Sequence, residues 1–380
     1  MLALALAVFL QAPAPRDLNG SVFLDHNANG IREAGEPGIE GIVVSDQDQV
    51  VRTGPDGGFR ITRSTGTGVV FVSVPDGYRA VGRYWQPIGE ERLAFGLTPS
   101  PAPAEFVFVH ASDTHISEAS RGRTRLLKAA VDSVKPAFVI ITGDLVRDAL
   151  RVPETEASGY YRLFQEETAS FSAPVWTAPG NHEIFGIERH RSLVSPSHPL
   201  YGRGMYRHFR GPDYYSFTYG GIHFVALNTE DIDDLWYYGH VDSVQVAWLR
   251  RDLATVPTTT PVVTFNHIPF FTSVETVNGY MDGPPAPTAI TVRGKTSFRH
   301  SVSNAGEILQ LMAGRPYPIA LGGHMHVRES LSFGGVATRF HQAAAVVGPS
   351  DGGAMPLPSG FTVYRVKGGR IDDGTFVRLP

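Results

Sequence analysis

Hydrophobic and polar residues alternate in short runs across residues 17–97. Three of these runs occupy residues 41–45, 58–62 and 69–74, and Gly, Asp and Pro separate the runs at roughly ten-residue spacing. Because alternation puts every second side chain on the same face of a strand, the pattern predicts a small all-β domain, an antiparallel β-sandwich.

Three prolines within a few residues end this pattern, at Pro99, Pro101 and Pro103. Proline fixes φ and favours extended backbone. Residues 98–105 are therefore predicted to form a semi-rigid linker between two domains.

From Phe106 onward, uninterrupted apolar runs alternate with helical stretches that each carry one apolar stripe. Such runs are typical of strands buried on both faces. We therefore expect an α/β domain over residues 106–380, an α/β/β/α sandwich in which strands after His326, including residues 361–364 and 374–377, close a second sheet. The earlier strand runs lie at residues 106–109, 138–141, 174–177, 261–265 and 318–321, and the two stripes comprise Leu126, Leu127, Ala130, Val131 and Val134, then Val241, Val244, Trp248 and Leu249.

Composition narrows the range of functions. The 380 residues include 33 Lys and Arg, 37 Asp and Glu and no Cys, and the formal net charge is −4. The lack of Cys excludes a disulfide framework, a thiolate metal site and a Cys nucleophile. The near balance of charge gives no indication of nucleic-acid binding. No apolar run is long enough for a transmembrane anchor. The sequence leaves the oligomeric state open.

The N-terminus has the pattern of an export signal. Residues 2–10 are apolar, and Ala12-Pro13-Ala14 resembles a signal-peptidase cleavage site. We predict a signal peptide over residues 1–15 and an extracytoplasmic location, either periplasmic or secreted.

Five short motifs follow apolar strand runs, at the points where those runs end. The ends of strands in an open α/β sheet are where ligands gather, since loops converge there above a rigid base. Carboxylate, amide and imidazole donors without thiolate suit Mn²⁺, Fe or Zn²⁺. Their number exceeds what one tetrahedral ion needs, so two ions are predicted. The motifs are Asp113-Thr114-His115, Gly143-Asp144, Gly180-Asn181-His182-Glu183, Asn266-His267 and Gly323-His324-Met325-His326.

These motifs resemble the signature of the calcineurin-like metallophosphoesterases, which runs D-x-H, G-D, G-N-H-[DE], H and G-H-x-H. The resemblance covers about residues 105–380 and implies the α/β/β/α fold. It implies that Asp144 bridges two metal ions and that His182 stays unligated beside the phosphate. It also implies ligands for one metal (Asp113, His115 and His326) and for the other (Asn181, His267 and His324).

The resemblance implies hydrolysis of a small phosphoester substrate, a monoester or a diester, by a hydroxide that bridges the two metals. His182 and Asp144 would be the catalytic residues, with His182 protonating the leaving group or stabilising the transition state. Two alternatives stay open: a pyrophosphatase acting on nucleotide or lipid diphosphates, and a non-catalytic adhesion or binding protein on the same scaffold. Candidates for orienting the ligand histidines are Asp148, Glu183 and Glu230.

Two segments are candidates for the substrate pocket. Residues 201–238 are rich in aromatic side chains, for which packing between layers is the alternative. Residues 270–303 are rich in Gly and Pro and could form a lid. Within the second segment Arg293, Lys295, Arg299 and His300 could bind substrate anions or form a solvated charge cluster. His110 and His223 are expected to be hydrogen-bonded core groups.

The N-terminal domain carries a second metal-like pattern. Asp25, Asn27, Asn29 and Glu36 fit D-x-[DN]-x-[DN]-G-x₅-E, in which oxygen donors surround a Gly turn and suit Ca²⁺. The block resembles the calcium-binding B-type repeats of bacterial surface adhesins and the small sandwich that precedes some bacterial metallophosphoesterase domains. The alternative is an Asn-Gly turn in a hairpin.

Overall fold

The computed structural model describes residues 15–64, 66–89, 92–274, 289–348 and 357–380. The predicted signal peptide lies outside this part of the chain, apart from Pro15. The N-terminal strands are β1 (Arg16–Leu24), β2 (Val43–Ser45), β3 (Val50–Arg52), β4 (Gly58–Ser64), β5 (Val69–Val72), β6 (Tyr78–Ala80), β7 (Trp85–Pro87) and β8 (Leu93–Pro99).

These strands form two four-stranded sheets, in the orders β4-β1-β8-β6 and β3-β2-β5-β7. All neighbouring strands run antiparallel except β1 and β8, which are parallel. Along β4, Phe59 and Ile61 are buried while Arg60 between them is exposed, so alternation supplies one apolar face. Phe59 and Ile61 join Val22, Val44 and other side chains in one core. The predicted all-β N-terminal domain is confirmed.

The rest of the chain alternates strands and helices before it returns to strands. The strands are β9 (Glu105–Ala111), β10 (Phe138–Thr142), β11 (Val175–Ala178), β12 (Tyr215–Tyr219), β13 (Ile222–Ala226), β14 (Glu230–Asp233), β15 (Trp236–Gly239), β16 (Val262–Phe265), β17 (Ala289–Val292), β18 (Lys295–Phe298), β19 (Ile319–Gly322), β20 (Glu329–Leu331), β21 (Arg339–Gln342), β22 (Gly360–Lys367), β23 (Arg370–Ile371) and β24 (Thr375–Arg378). The helices are α1 (Arg121–Val134), α2 (Glu154–Ala169), α3 (Arg189–Ser192), α4 (Gly204–Arg210), α5 (Ser243–Leu253) and α6 (Ala305–Leu311). A 3₁₀ turn spans Asn181–Glu183.

Two six-stranded sheets form the centre of this part. The first has the order β11-β10-β9-β22-β23 with β24 beside β22, and the second has the order β12-β13-β16-β19-β21-β20. On β10, Val139 and Ile141 pack with Leu127 and Val131 of α1, whereas Phe138 and Ile140 belong to the core that contains the second sheet. One strand thus separates a helix layer from a sheet layer, which confirms the α/β/β/α prediction.

Two sequence expectations about this part were wrong in detail. The last strands do not all close the second sheet: β20 and β21 join it, but β22 pairs antiparallel along the free edge of β9 and brings β24 with it into the first sheet. The helix stripes are also narrower than predicted. Leu126 and Val244 are 38% and 51% exposed, because they sit at the margin of their helices' buried faces.

A third sheet of four strands has the order β14-β15-β18-β17 and was not predicted. It contains the described end of the predicted lid, which forms the β17–β18 hairpin. Residues 275–288 of that lid lie outside the described part of the chain. Within the described residues, no helix has the length and apolar character needed to cross a membrane.

The N-terminal sandwich packs directly on the second domain. The Tyr214 hydroxyl donates to the Gln47 carbonyl at 2.5 Å, and the Gln47 amide donates to the Tyr214 carbonyl at 2.9 Å. Trp248 Nε1 of α5 donates to Ser45 Oγ at 3.1 Å, and Phe71 belongs to the same apolar core as Trp248. Residues 100–104, which lie within the predicted linker, connect β8 to β9.

Candidate metal centre

The five sequence motifs meet at one edge of the paired sheets. The strands β9, β10 and β11 are parallel, as are β16 and β19, so their carboxyl ends point the same way. Each motif follows one of these ends within a few residues. The chain thereby brings together six side chains that can offer ligand atoms in two groups: Asp113, His115, Asp144, His267, His324 and His326.

The first group comprises Asp113, His115, Asp144 and His326, whose ligand atoms all lie within 4.8 Å of one another. His326 Nε2 is 3.2 Å from Asp113 Oδ1 and 3.1 Å from His115 Nε2. His115 Nε2 is also 3.5 Å from Asp144 Oδ2. Four donors therefore face a space the size of one ion.

The second group comprises Asp144, His267 and His324, again within 4.8 Å. His267 Nε2 is 3.2 Å from Asp144 Oδ2, 3.2 Å from His324 Nδ1 and 3.3 Å from Asn181 Oδ1. Asn181 thus lies beside this group. Asp144 belongs to both groups, so one carboxylate joins the two spaces.

The backbone at these positions is strained. Five residues of the groups have left-handed φ, a conformation that costs about 1–3 kcal/mol for a residue with a side chain and that clusters at functional sites. Such a concentration indicates that the fold holds the side chains in place for function. They are Asp113 (56°), His115 (38°), Asp144 (48°), His324 (74°) and His326 (57°).

A glycine, Gly180, allows the close approach of backbone and side chains around Asp144. A Cβ on Gly180 would lie 2.4 Å from Asp144 Oδ1. Only glycine therefore lets the loop after β11 approach the carboxylate that the two groups share. The approach also lets the His182 amide donate to Asp144 Oδ1 at 2.9 Å. Asp144 Oδ2 is left to face both groups.

The two carboxylates are held in their charged form. Burial would raise the pKa of Asp113, but the charges of His326 and His267 outweigh it and lower that pKa to about 2. Burial would also raise the pKa of Asp144, but the charges of His267 and His182 hold that pKa well below its usual range. Two buried carboxylates that stay ionised at neutral pH suit cation binding.

A second observation, a buried carboxylate oxygen that accepts no hydrogen bond, also indicates that these residues suit a metal ion. Asp113 Oδ1 is fully buried and accepts no hydrogen bond, although it faces the imidazoles of the first group. A buried carboxylate oxygen that faces imidazole nitrogens at 3.2 Å and 3.8 Å without accepting a hydrogen bond is costly, and a cation would satisfy it. Oxygen and imidazole donors without thiolate suit Mn²⁺, Fe or Zn²⁺.

His182 lies beside the two groups. Its Nδ1 is 2.5 Å from the Arg147 carbonyl, which can only accept, so Nδ1 carries the hydrogen. Its Nε2 is 3.9 Å from Asp144 Oδ2 and its ring packs edge-on to His115. The ring is therefore fixed by one nitrogen and presents the other to the site.

The three predicted orienting residues have different surroundings. Glu183 accepts from the amides of Val146 at 3.0 Å and Gly180 at 2.7 Å, and so ties the β10 and β11 loops together. Burial and the Asp144 charge raise its pKa to about 8. Glu230 accepts from the Ile268 amide at 3.1 Å, next to His267. Asp148 pairs with Arg151 instead.

His300 is a neighbour of the centre that the sequence did not assign to it. Its Nδ1 is 2.6 Å from His324 Nε2, while His324 Nδ1 faces His267. His300 follows β18, which reaches the site because Phe298 pairs with Gly239 of β15. No local spacing signals this contact, since His300 and His324 are 24 residues apart.

We predict that His300→Gln weakens metal affinity about tenfold, because partners of ligand histidines orient the ring and tune its basicity. Competition with a metal chelator measures the affinity. Lys295→Gln, on the same hairpin, serves as control. Equal affinity of the His300 variant and the wild type would contradict a positioning role.

Of the four predicted anion-binding residues, Arg299 also lies near the centre. Its guanidinium carbon is 4.7 Å from the Tyr237 ring and 5.3 Å from the Trp236 ring. The Tyr237 ring is 6.2 Å from the His324 ring. Arg299 Nε is buried without a hydrogen-bond partner. Arg293 and Lys295 lie exposed at the turn of the β17–β18 hairpin.

The predicted aromatic segment divides in two. Tyr206, Tyr214 and Tyr215 are buried and pack in the core. Trp236 is 53% exposed beside Arg299. The packing alternative is correct for the tyrosines, and the tryptophan is left as an accessible ring near the centre.

The two histidines predicted to pack do so. His223 is buried and its Nε2 lies 2.8 Å from Asp252 Oδ2, with Nδ1 3.0 Å from Thr218 Oγ1. His110 is buried with Nε2 3.0 Å from Thr142 Oγ1, and burial lowers its pKa to about 3.

The predicted calcium loop is closed by its own side chains. Asp25 Oδ2 accepts from the Gly30 amide at 2.7 Å, and Asn29 Oδ1 accepts from the Ile31 amide at 2.7 Å. Glu36 accepts from the His26 amide at 2.9 Å. Asn27 Nδ2 donates to Glu33 at 2.8 Å. The four predicted ligands thus bend one turn, as both the calcium and the hairpin-turn interpretations require.

Comparison with protein families gives two matches. The model for calcineurin-like phosphoesterase matches residues 106–328. The model for the N terminal of calcineurin-like phosphoesterase matches residues 26–100. No curated protein sequence matches the chain. The likeness of the N-terminal domain to adhesin repeats stays a prediction.

Several solved structures resemble the chain at low identity. A dimetal phosphatase from Danio rerio is 16% identical, with a TM-score of 0.47, over 72% of this chain and 96% of its own. GAP50, the anchor in the inner membrane complex of Plasmodium, is 12% identical with a TM-score of 0.43, over 72% of this chain and 84% of its own. Phosphopantetheinyl hydrolase from Mycobacterium tuberculosis is 14% identical with a TM-score of 0.39, over 64% of this chain and 91% of its own. Identities this low leave the substrate to be argued from this chain's own residues.

Proposed function

The chain belongs to the calcineurin-like phosphoesterase family, and we propose that it hydrolyses phosphoester bonds with two metal ions held at the edge of its paired sheets. The observation that carries the proposal is the shared position of Asp144 between the two donor groups. A single ion would not need a carboxylate common to two such groups. We propose Asp113, His115 and His326 as ligands of one ion, and Asn181, His267 and His324 as ligands of the other.

Two divalent cations bound there would polarise a phosphoryl oxygen and lower the pKa of nearby water. The chain's own residues supply position and a proton. Asp144 keeps the two donor groups together, and the Nδ1 contact to Arg147 fixes the His182 ring. His182 Nε2 is free to carry a proton to the leaving oxygen.

The experiment is metal removal followed by add-back. The purified protein, stripped with a chelator, is assayed on p-nitrophenyl phosphate and bis(p-nitrophenyl) phosphate, then again after Mn²⁺, Zn²⁺ or Fe²⁺ is added. We expect activity only after add-back, with a stoichiometry of two ions per chain. Full activity in the stripped protein, or restoration at one ion per chain, would contradict the proposal. An inactive but fully loaded protein would favour the non-catalytic alternative.

We further propose that Arg299 contacts a substrate anion beyond the reacting phosphoryl group. Its Nε is buried without a partner, and Trp236 and Tyr237 fix the guanidinium plane beside the His324 side of the centre. A second phosphate or a phosphodiester oxygen would pair with this guanidinium. This favours diester or pyrophosphate substrates over simple monoesters.

Arg299→Gln is predicted to raise KM about tenfold for a dinucleotide diphosphate while leaving KM for p-nitrophenyl phosphate unchanged. The matched control is Arg293→Gln on the exposed hairpin turn. An equal rise in KM for both substrates would contradict a contact with a second anion.

We propose that Asp25, Asn27, Asn29 and Glu36 bind Ca²⁺, as their spacing indicates. Because a ligand bound only to the folded state stabilises it, millimolar Ca²⁺ should raise the melting temperature of the sandwich by about 2–4 °C. Asn27→Ala should remove the rise, measured against the melting temperature of the same variant in chelator. An unchanged melting temperature of the wild-type protein on adding Ca²⁺ would count against the site.

We also propose that residues 1–15 direct export and are removed. The support is the apolar run followed by Ala12-Pro13-Ala14. N-terminal sequencing of protein recovered from the periplasm or medium should find a start near residue 15. Recovery of protein that retains Met1 in the cytoplasm would contradict export.

A further inference from the structure

A cleft of about 630 Å³ lies between the N-terminal sandwich and the second domain. This is within the range of about 300–1,000 Å³ that is typical of small-molecule sites. One wall comes from residues 78–85 of the sandwich, and the other comes from the starts of β10 and β11, the end of α4 and the end of β12.

The cleft lies far from the candidate metal centre. Phe138 and Val175, which begin β10 and β11, line the cleft, whereas Asp144 and Asn181 follow the ends of those strands. At about 3.3 Å per residue, the two places are on the order of 15 Å apart. A ligand of the cleft is therefore distinct from the phosphoester substrate.

Flat aromatic rings form much of the lining. The Trp176 ring stacks on Phe217 with 4.0 Å between centroids, and the Tyr84 ring is 4.9 Å from Trp176. Tyr84, Trp176 and Tyr219 are half-buried residues that line the cleft. Such surfaces favour a planar partner.

The charges of the lining are all of one sign. Arg79, Arg83 and Arg210 line the cleft, and no Asp or Glu is found among the described residues that do. Arg83 lies over Trp85 with 4.9 Å to the ring, and Arg210 lies over Phe164 with 5.2 Å. Stacking fixes Arg83 and Arg210 without neutralising them.

Arg210 has an unused donor. Its Nε is buried and has no hydrogen-bond partner among the described atoms. Leaving a charged side chain of the lining without an acidic partner is unfavourable, and an anion in the cleft would pair with the Arg210 guanidinium. The donor, the aromatic rings and the absence of acidic residues in the described lining agree on one type of ligand.

We propose that this cleft binds a flat aromatic molecule carrying an anionic group, such as an aryl carboxylate, sulfonate or phosphate. The rings of Tyr84 and Trp176 contact the aromatic part, and Arg210 with Arg83 contacts the anion. Because both domains contribute, the ligand also holds the sandwich against the second domain.

The test compares two fluorescent probes of similar shape on the full chain. 8-Anilinonaphthalene-1-sulfonate carries the anion, and N-phenyl-1-naphthylamine lacks it. We expect saturable one-to-one binding of the sulfonate with energy transfer from tryptophan, and an affinity about tenfold lower in Arg210→Gln or Arg83→Gln. The neutral probe should bind all three proteins alike.

Two controls assign the binding to the cleft. Arg250→Gln, an exposed change on α5, should bind the sulfonate as the wild type does, and Ser100→Trp, at the mouth of the cleft, should weaken both probes. Metal removal, which tests the phosphoesterase proposal, should leave probe binding unchanged. The proposal is overturned if the sulfonate does not saturate, if both arginine variants bind it like the wild type, or if metal removal abolishes its binding.

Discussion

Asp144→Asn is expected to lower kcat on p-nitrophenyl phosphate by ~10³-fold or more and to reduce the bound metal below two ions per chain. The substitution preserves size, and the amide oxygen can still accept from the His182 amide, which now donates to Oδ1 at 2.9 Å. The amide nitrogen then takes the place of Oδ2, which faces His115 and His267. Hydrogens on that nitrogen would repel the cations that the carboxylate attracts.

Kinetics and elemental analysis of the purified variant check this expectation, with circular dichroism to show that it is folded. Asp132→Asn on α1 is a matched control, because it removes the same charge from a half-buried pair with Lys128 that is remote in the fold from the donor groups. A folded Asp144 variant with wild-type rate and metal content would refute the role of Asp144.

His182→Ala is expected to lower kcat about 10²-fold while two ions remain bound. The His182 Nε2 lies 3.9 Å from Asp144 Oδ2 and its Nδ1 is held by the Arg147 carbonyl, so loss of the side chain removes a proton carrier rather than a ligand. The loss should be larger for phenyl phosphate than for p-nitrophenyl phosphate, since the nitrophenolate leaves without a proton. Added imidazole should restore part of the activity.

The control for this variant is His208→Ala, an exposed imidazole on α4. It should retain wild-type kinetics on both substrates. If His182→Ala loses metal, His182 is a ligand; if the loss is equal for both leaving groups, it does not act as the general acid.

The sequence predicted the places of Asp113, Asp144 and His267 because each follows a strand with a mainly apolar run. A strand buried on both faces has one position in a layered fold, and the residue after it is carried to the sheet edge. Order along the chain and strand direction therefore sufficed to bring distant motifs together.

The sequence did not predict features that depend on pairing between distant segments. His300 reaches His324 through the pairing of β15 with β18, which rests on Gly239 and Phe298. The position of β22 beside β9 depends on which edge of the first sheet is free. Periodicity describes one segment at a time, so it contains no information on either choice.

The docking of the sandwich on α5 has a practical consequence for dissecting the protein. A fragment beginning at residue 105 would uncover Tyr214 and Trp248, whose partners Gln47 and Ser45 would be gone. Aromatic rings newly exposed to solvent, and polar atoms that have lost their hydrogen-bond partners, would make the fragment prone to aggregation. The two domains are therefore best expressed together. Deleting the sandwich would abolish activity by making the second domain insoluble, although every candidate metal ligand would still be present.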